Sequence, residues 1–318
     1  MAHALQPDPR GDWLRMLGGL LFALGAVILF LRKTDDWAAF PLLLVVGIPC
    51  VLLFGLGALA ALATGAVGRW HAVLMVTGVL LSILAFGQLW DTIGVDTDSN
   101  EFGFLISACV AGLAAFGSFR VGAAYQALLA GVAGIAAWLF LWDMILDDPG
   151  AGAFRWLLLL LCAGYAAAAF SLRSVDAPQA PELVTAAGIT GVVVGTIGIV
   201  DEAGGALALL FGGGAGGGEG QSFVWDLFLL VFSLGLVTYG AAALARGPAY
   251  VGFFGLFAFV IIQGAEVNAL LEGESPDSSF AGWPLVLLLV GGAALAAGLM
   301  LRPPPPAPPE PETYEVRT

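Results

Sequence analysis

The sequence predicts an all-α, polytopic integral membrane protein of about ten transmembrane helices, arranged as five helical hairpins with both termini inside (N-in/C-in). Three observations carry that reading. Of 318 residues, 59% are hydrophobic and only 11% charged, whereas a soluble domain carries about a quarter of its residues as charged side chains. The mean hydropathy is +0.94. The few charges fall between apolar runs of about 20 residues, the length a helix needs to satisfy its own backbone groups across hydrocarbon.

Ten runs qualify: Trp13–Leu31, Ala38–Ala63, Ala72–Trp90, Phe102–Ser118, Gly122–Ile145, Arg155–Leu172, Leu183–Val200, Phe223–Leu244, Tyr250–Leu271 and Pro284–Leu301. The first resembles the apolar core of a signal peptide in composition. Its leading segment has few basic residues, however, and no small-residue cleavage site follows Leu31, so it is expected to remain in the mature chain. The division is therefore 1–12 as a cytoplasmic tail, 13–301 as the membrane domain, and 302–318 as a Pro-rich cytoplasmic tail. That last tail begins Arg-Pro-Pro-Pro-Pro, which cannot continue a helix and favours an extended, solvated chain.

Basic residues set the orientation, because Lys and Arg near span ends are retained on the cytoplasmic face. With the N-terminus inside, Arg10, Arg15, Arg69, Arg120, Arg173, Arg246, Arg302 and Arg317 lie inside, against Arg32, Lys33 and Arg155 outside. Acidic residues such as Asp36, Asp91, Asp148, Glu202 and Asp277 gather in or beside the outer connections. Arg15, Arg69, Arg120, Arg173 and Arg246 recur with a rough period that marks out the five hairpins, each closed by an outer loop. Duplication of a hairpin explains this pattern. So does positive-inside bias acting on any alternating set of spans.

Ionisable groups inside a membrane are costly and are functional candidates by default. Glu266 lies about 7 Å from the outer end of the ninth span at 1.5 Å per residue, with Gln263 one turn earlier and Asn268 nearby. Gln263 and Glu266 share a helix face, a pairing suited to holding a cation or exchanging a proton. A second set comprises Asp91, Asp143 and Asp226, each following a tryptophan at an outer helix end. If those ends converge, they form an acidic vestibule rimmed by indoles that attracts cations or amines. The bland reading is an aromatic belt with acids outside. Gly188, Gly191, Gly195 and Gly198 crowd the seventh span, where Gly191 and Gly195 form a GxxxG that allows close helix packing. Tyr125, Gln126, Thr185, Thr190 and Tyr239 are expected to bond across helices. Cys50, Cys109 and Cys162 sit in three different spans without a CxxC spacing and read as small buried hydrophobes.

The exclusions are sharper. With His3 and His71 the sole histidines, neither a bis-histidine haem nor a His-Glu-x-x-His metal site is available. No catalytic motif, metal site or cofactor is expected, and the protein is read as a non-enzyme. The Gly-rich stretch 212–220 lacks the Gly-Lys-Ser/Thr ending of a phosphate loop and reads as a linker. A net charge of −13 disfavours nucleic acid as a partner. The expected partners are the lipid bilayer and either further copies of the chain or other subunits of a membrane complex. Ten arginines to one lysine, with abundant Ala and Gly, suggest a GC-rich bacterial source and the cytoplasmic membrane. Two functional classes remain: a permease-like secondary transporter of a small solute or cation, and a non-catalytic membrane subunit or scaffold.

Overall fold

Local capping chemistry places the helix ends more tightly than hydropathy does. The computed structural model describes residues 9–97, 99–146, 150–175, 177–200 and 223–271, without side-chain placement at 9–10, 151, 198–200, 223 and 262–271. Among the described residues the fold is entirely helical: α1 Pro9–Lys33, α2 Ala39–Thr64, α3 Arg69–Ile93, α4 Asn100–Val121, α5 Tyr125–Leu146, α6 Ala151–Arg173, α7 Ala180–Val200, α8 Phe223–Ala242 and α9 Arg246–Leu271. Eight of these are long and apolar enough to cross a membrane, and α9 is 26 residues long. The predicted tenth span, Pro284–Leu301, and the Pro-rich tail lie outside the described residues.

Several helices start before their apolar runs because polar residues stabilise an extra turn. In α1 that turn begins at Pro9, which fits a first helical position because its missing N–H is not needed there. Asp12 and Arg15 then pair at 2.8 Å. Ser99 accepts a hydrogen bond from the Phe102 amide at 3.2 Å, starting α4 two residues before the predicted run. The amide of Gly68 donates to His71 Nδ1 at 3.0 Å and caps α3. Gly65 and Gly122 end α2 and α4 at φ 67° and 80°, the left-handed conformation that closes a helix without a Cβ penalty. Helix α6 starts at Ala151, which puts Arg155 one turn inside the helix rather than at its edge.

Consecutive helices run antiparallel, with the most extensive packing between α2 and α3, α4 and α5, and α6 and α7. These pairs are joined at the arginine-bearing end. The predicted hairpins were joined at the acidic end, so the packing units are offset by one helix. Small residues explain the offset. A Cβ on Gly57 would meet Met75 Cγ at 2.7 Å, one on Gly78 would meet Phe54 at 2.8 Å, and one on Gly103 would meet the Phe140 ring at 2.6 Å. Arg15, Arg69, Arg120, Arg173 and Arg246 consequently share one end of the bundle, here called the basic end. Asp36, Asp91, Asp143 and Asp226 share the other, the acidic end.

Each helix buries one stripe. In α1 it is Ala23, Ala26 and Phe30, of which Ala23 and Phe30 join a core with Leu42, Val46, Leu53, Leu74 and Leu81. A second core joins Phe54, Met75, Val79, Val110 and Ala114, and a third joins Ile135, Leu158 and Val194. The opposite faces expose Leu14, Val51, Leu59, Phe170 and Phe254. Apolar side chains on the outside suit a bundle whose surroundings are hydrocarbon.

Candidate functional site

The buried stripe of α8 reads Asp226, Leu229, Ser233, Leu236 and Gly240, and that of α6 reads Arg155, Leu158, Cys162 and Ala169. Helical spacing therefore carries a carboxylate and a guanidinium inward on the packed faces of two helices at the acidic end. Asp226 is 2% exposed and Arg155 5%, and the two charges attract one another. Asp226 also lies in the first turn of α8, where the positive end of the helix dipole favours a negative side chain.

Aromatic rings surround Arg155. The Arg155 guanidinium lies 5.0 Å from the centre of the Trp225 ring, so neighbouring residues of α8 offer it a π face and a carboxylate. Trp225 meets Trp156 edge-on at 6.1 Å and Phe228 at 6.0 Å. Phe228 in turn stacks on Phe232 at 5.3 Å. Across from them, Trp138 Nε1 donates to the Leu157 carbonyl at 3.0 Å and meets Trp142 at 5.6 Å. Arg155 thus belongs to a packed cluster spanning α5, α6, α7 and α8. In water a guanidinium over an indole contributes about 0.5–1 kcal/mol, and more once desolvated.

The other predicted acids keep different company. Asp143, at the last turn of α5, is half-buried and accepts a hydrogen bond from the Asn100 side chain of α4. A surface depression of about 390 Å³ adjoins Asn100, with Ser99, Gly103 and Phe140 in its lining. Asp91 is exposed in the last turn of α3, and its carbonyl accepts from Gly94. Gln263, Glu266 and Asn268 lie in α9, and their side chains are outside the described residues.

The glycines of α7 form its contact with α8 and α9. A Cβ on Gly191 would collide with the Phe232 ring, one on Gly195 would come within 2.9 Å of Leu229, and one on Gly188 would approach Leu236 at 3.1 Å and Val251 at 3.3 Å. The side-chain environment of Gly198 is outside the described residues. Thr185 and Thr190 depart from the expectation of cross-helix bonding. Their hydroxyls donate to Pro181 and Ala186 of their own helix at 2.9 and 2.8 Å, because the carbonyl one turn back is within reach of a threonine. Tyr125 does reach across, to Met75 Sδ at 3.7 Å, and Tyr239 accepts from Arg173 at 3.5 Å. Cys50 and Cys162 are buried and donate weakly to the carbonyls of Gly78 and Ala187, each at 3.3 Å.

Sequence reasoning missed Arg155 as a site residue because it was counted among the outer charges. Its register with Leu158, Cys162 and Ala169 was the available signal. It also missed a buried polar contact at the basic end, where Gln179 Nε2 donates to the carbonyl of the enclosed Ser118 at 3.2 Å; Gln126, expected to bond across helices, is fully enclosed. Among the described residues no group of three His, Cys, Asp or Glu side chains is arranged to hold a metal ion. No protein-family model, no curated protein and no solved structure matches this chain.

Proposed function

We propose that the protein is a non-enzymatic, permease-like secondary transporter of a small cationic solute, working in a bacterial cytoplasmic membrane with both termini inside. The observation that carries the reading is the enclosed Arg155–Asp226 pair among helices of membrane-spanning length. Two opposite charges removed from water gain little net stability over apolar residues of the same size, and intramembrane ionisable groups usually mark pathways for ions or solutes.

The chemistry follows from competition for one carboxylate. A cation drawn to the acidic end by its surplus of Asp and Glu reaches Asp226 by displacing the Arg155 guanidinium. Arg155 retains the Trp225 face, so its release is incomplete and reversible. Trp225 and Trp156 offer further π faces to an amine. When the solute leaves, Arg155 takes the carboxylate back. The empty site is thereby charge-balanced by Arg155.

The test is current recorded from proteoliposomes on a solid-supported membrane during concentration jumps of protons, sodium, potassium and tetramethylammonium. At least one cation is expected to give a transient current that falls by about tenfold or more in Asp226→Asn, equivalent to about 1.4 kcal/mol of binding. Equal currents in wild type and Asp226→Asn, or none for any cation, would overturn the reading. Recovery of the extracted protein with stoichiometric foreign subunits, combined with no current, would favour a structural subunit.

A further inference from the structure

At the basic end, a cavity of about 190 Å³ opens between α6, α7 and α8. Ala166, Ala169 and Ala187 line its apolar part, with Phe170 beside them, and Arg173 and Tyr239 close its polar end. We propose that this slot binds an anionic phospholipid, with an acyl chain along the alanines and the phosphate held by Arg173.

Three features support that occupant. Arg173 is exposed, and its Nη1 meets the Tyr239 hydroxyl, a neutral group, at 3.5 Å. No ion pair with Arg173 occurs among the described residues, Glu182 of the neighbouring α7 turn included. Secondly, Ala180, the first residue of α7, lines the same cavity, so the start of α7 closes one side of the slot beside the guanidinium. Thirdly, the apolar and polar parts are arranged along a single helix. From Ala166 to Arg173 α6 rises about 10 Å, with the cation at the membrane-surface end and the methyl-lined groove leading into the hydrocarbon. A free anion has no use for that groove, and a neutral lipid has no use for the charge.

The proposal is independent of transport and is tested on the full-length protein without reference to it. Native mass spectrometry of the protein equilibrated with equal amounts of phosphatidylglycerol and phosphatidylcholine of matched chains would count the retained lipid. Wild type is expected to retain one phosphatidylglycerol in preference to phosphatidylcholine. Arg173→Gln should reduce that preference about fivefold, the scale of one basic residue at a membrane surface. Ala166 is exposed, so Ala166→Phe fills the slot mouth with little effect on folding and should abolish retention. Arg120→Gln, at the same end but away from the cavity, should leave it intact.

Unchanged preference in Arg173→Gln overturns the proposal, as does equal loss in Arg120→Gln, which would mark a diffuse charge effect. Displacement of the lipid by excess inorganic phosphate alone would reassign the site to a free anion. A change in subunit number in Ala166→Phe, with lipid retention unaltered, would reassign it to a contact between copies of the chain. Matching melting temperatures for the variants and wild type separate these outcomes from misfolding.

Discussion

The two ends of the bundle treat their arginines in opposite ways. At the acidic end Arg155 is 5% exposed, lies over Trp225 and is drawn to Asp226. At the basic end Arg173 is exposed and meets a phenol hydroxyl at 3.5 Å. The difference teaches that the same side chain serves two purposes in one helix. Enclosed in α6, it is part of the packing and cannot be altered without consequence. At the last turn of α6 it is an exposed charge with a phenol hydroxyl as its neighbour.

The largest expected effect follows from the enclosed pair. Removing one partner of a buried charge pair leaves the other unsatisfied and typically costs about 3–5 kcal/mol. Arg155→Leu and Asp226→Leu should each lower the melting temperature in detergent strongly. The double variant should recover most of that loss, because both desolvated charges are gone. Arg173→Gln should stay within about 0.5 kcal/mol of wild type, as surface substitutions usually do. A double variant as unstable as the sum of the singles would show that Arg155 and Asp226 are held by other partners and would break the contrast.

An intermediate effect tests how firmly Asp226 is positioned. Its helix, α8, is braced by α9 through Gly252, where an added Cβ would lie 2.6 Å from the Ser233 carbonyl oxygen and 2.8 Å from the Val237 nitrogen. Those are backbone atoms, so the helices must move apart. Gly252→Ala should cost about 1–3 kcal/mol, as overpacking generally does, and on the proposed function should reduce the cation current along with stability. On α8 itself Gly235 has open space where its Cβ would stand. Gly235→Ala should be neutral or stabilising by up to about 1 kcal/mol, since alanine is the better helix former. Equal melting shifts in the two variants would mean that the α8–α9 contact is looser than its geometry implies.

Much of this architecture was legible in residue order because bilayer thickness fixes the length of an apolar helix. The runs around Val46, Leu81 and Leu158 therefore declare themselves. Helix pairing was not legible. Arg69 and Arg120 alternate with acidic residues along the chain, and that alternation contains nothing about which helix touches which. The pairing is decided by small residues such as Gly57, Gly78 and Gly103, whose partners lie far away in sequence. Asp226 was recognisable as an ionisable group at the edge of an apolar run. Its partner was obscured because Arg155 also begins such a run, and a count of outer charges does not ask which face of the helix a residue occupies. The alanine slot left no signal at all, since Ala166 and Ala169 are ordinary residues in a chain rich in alanine.

The smallest expected effects compare one polar aromatic atom at each end. Trp138 donates from Nε1 to the Leu157 carbonyl at 3.0 Å within the packed cluster that contains Trp225. Trp138→Phe removes that donor and leaves an acceptor inside the protein, so it should cost about 1 kcal/mol. Tyr239→Phe removes a hydroxyl that meets an exposed guanidinium at the outer limit of hydrogen-bond distance, and should shift stability by less than about 0.5 kcal/mol. Thermal melting of both variants in one detergent makes the comparison direct. If Tyr239→Phe proved as costly as Trp138→Phe, Arg173 would be fixed by its phenol partner much as Arg155 is fixed at the other end. It would then be poorly placed to turn towards a lipid phosphate. A silent Tyr239→Phe leaves that guanidinium free to do so.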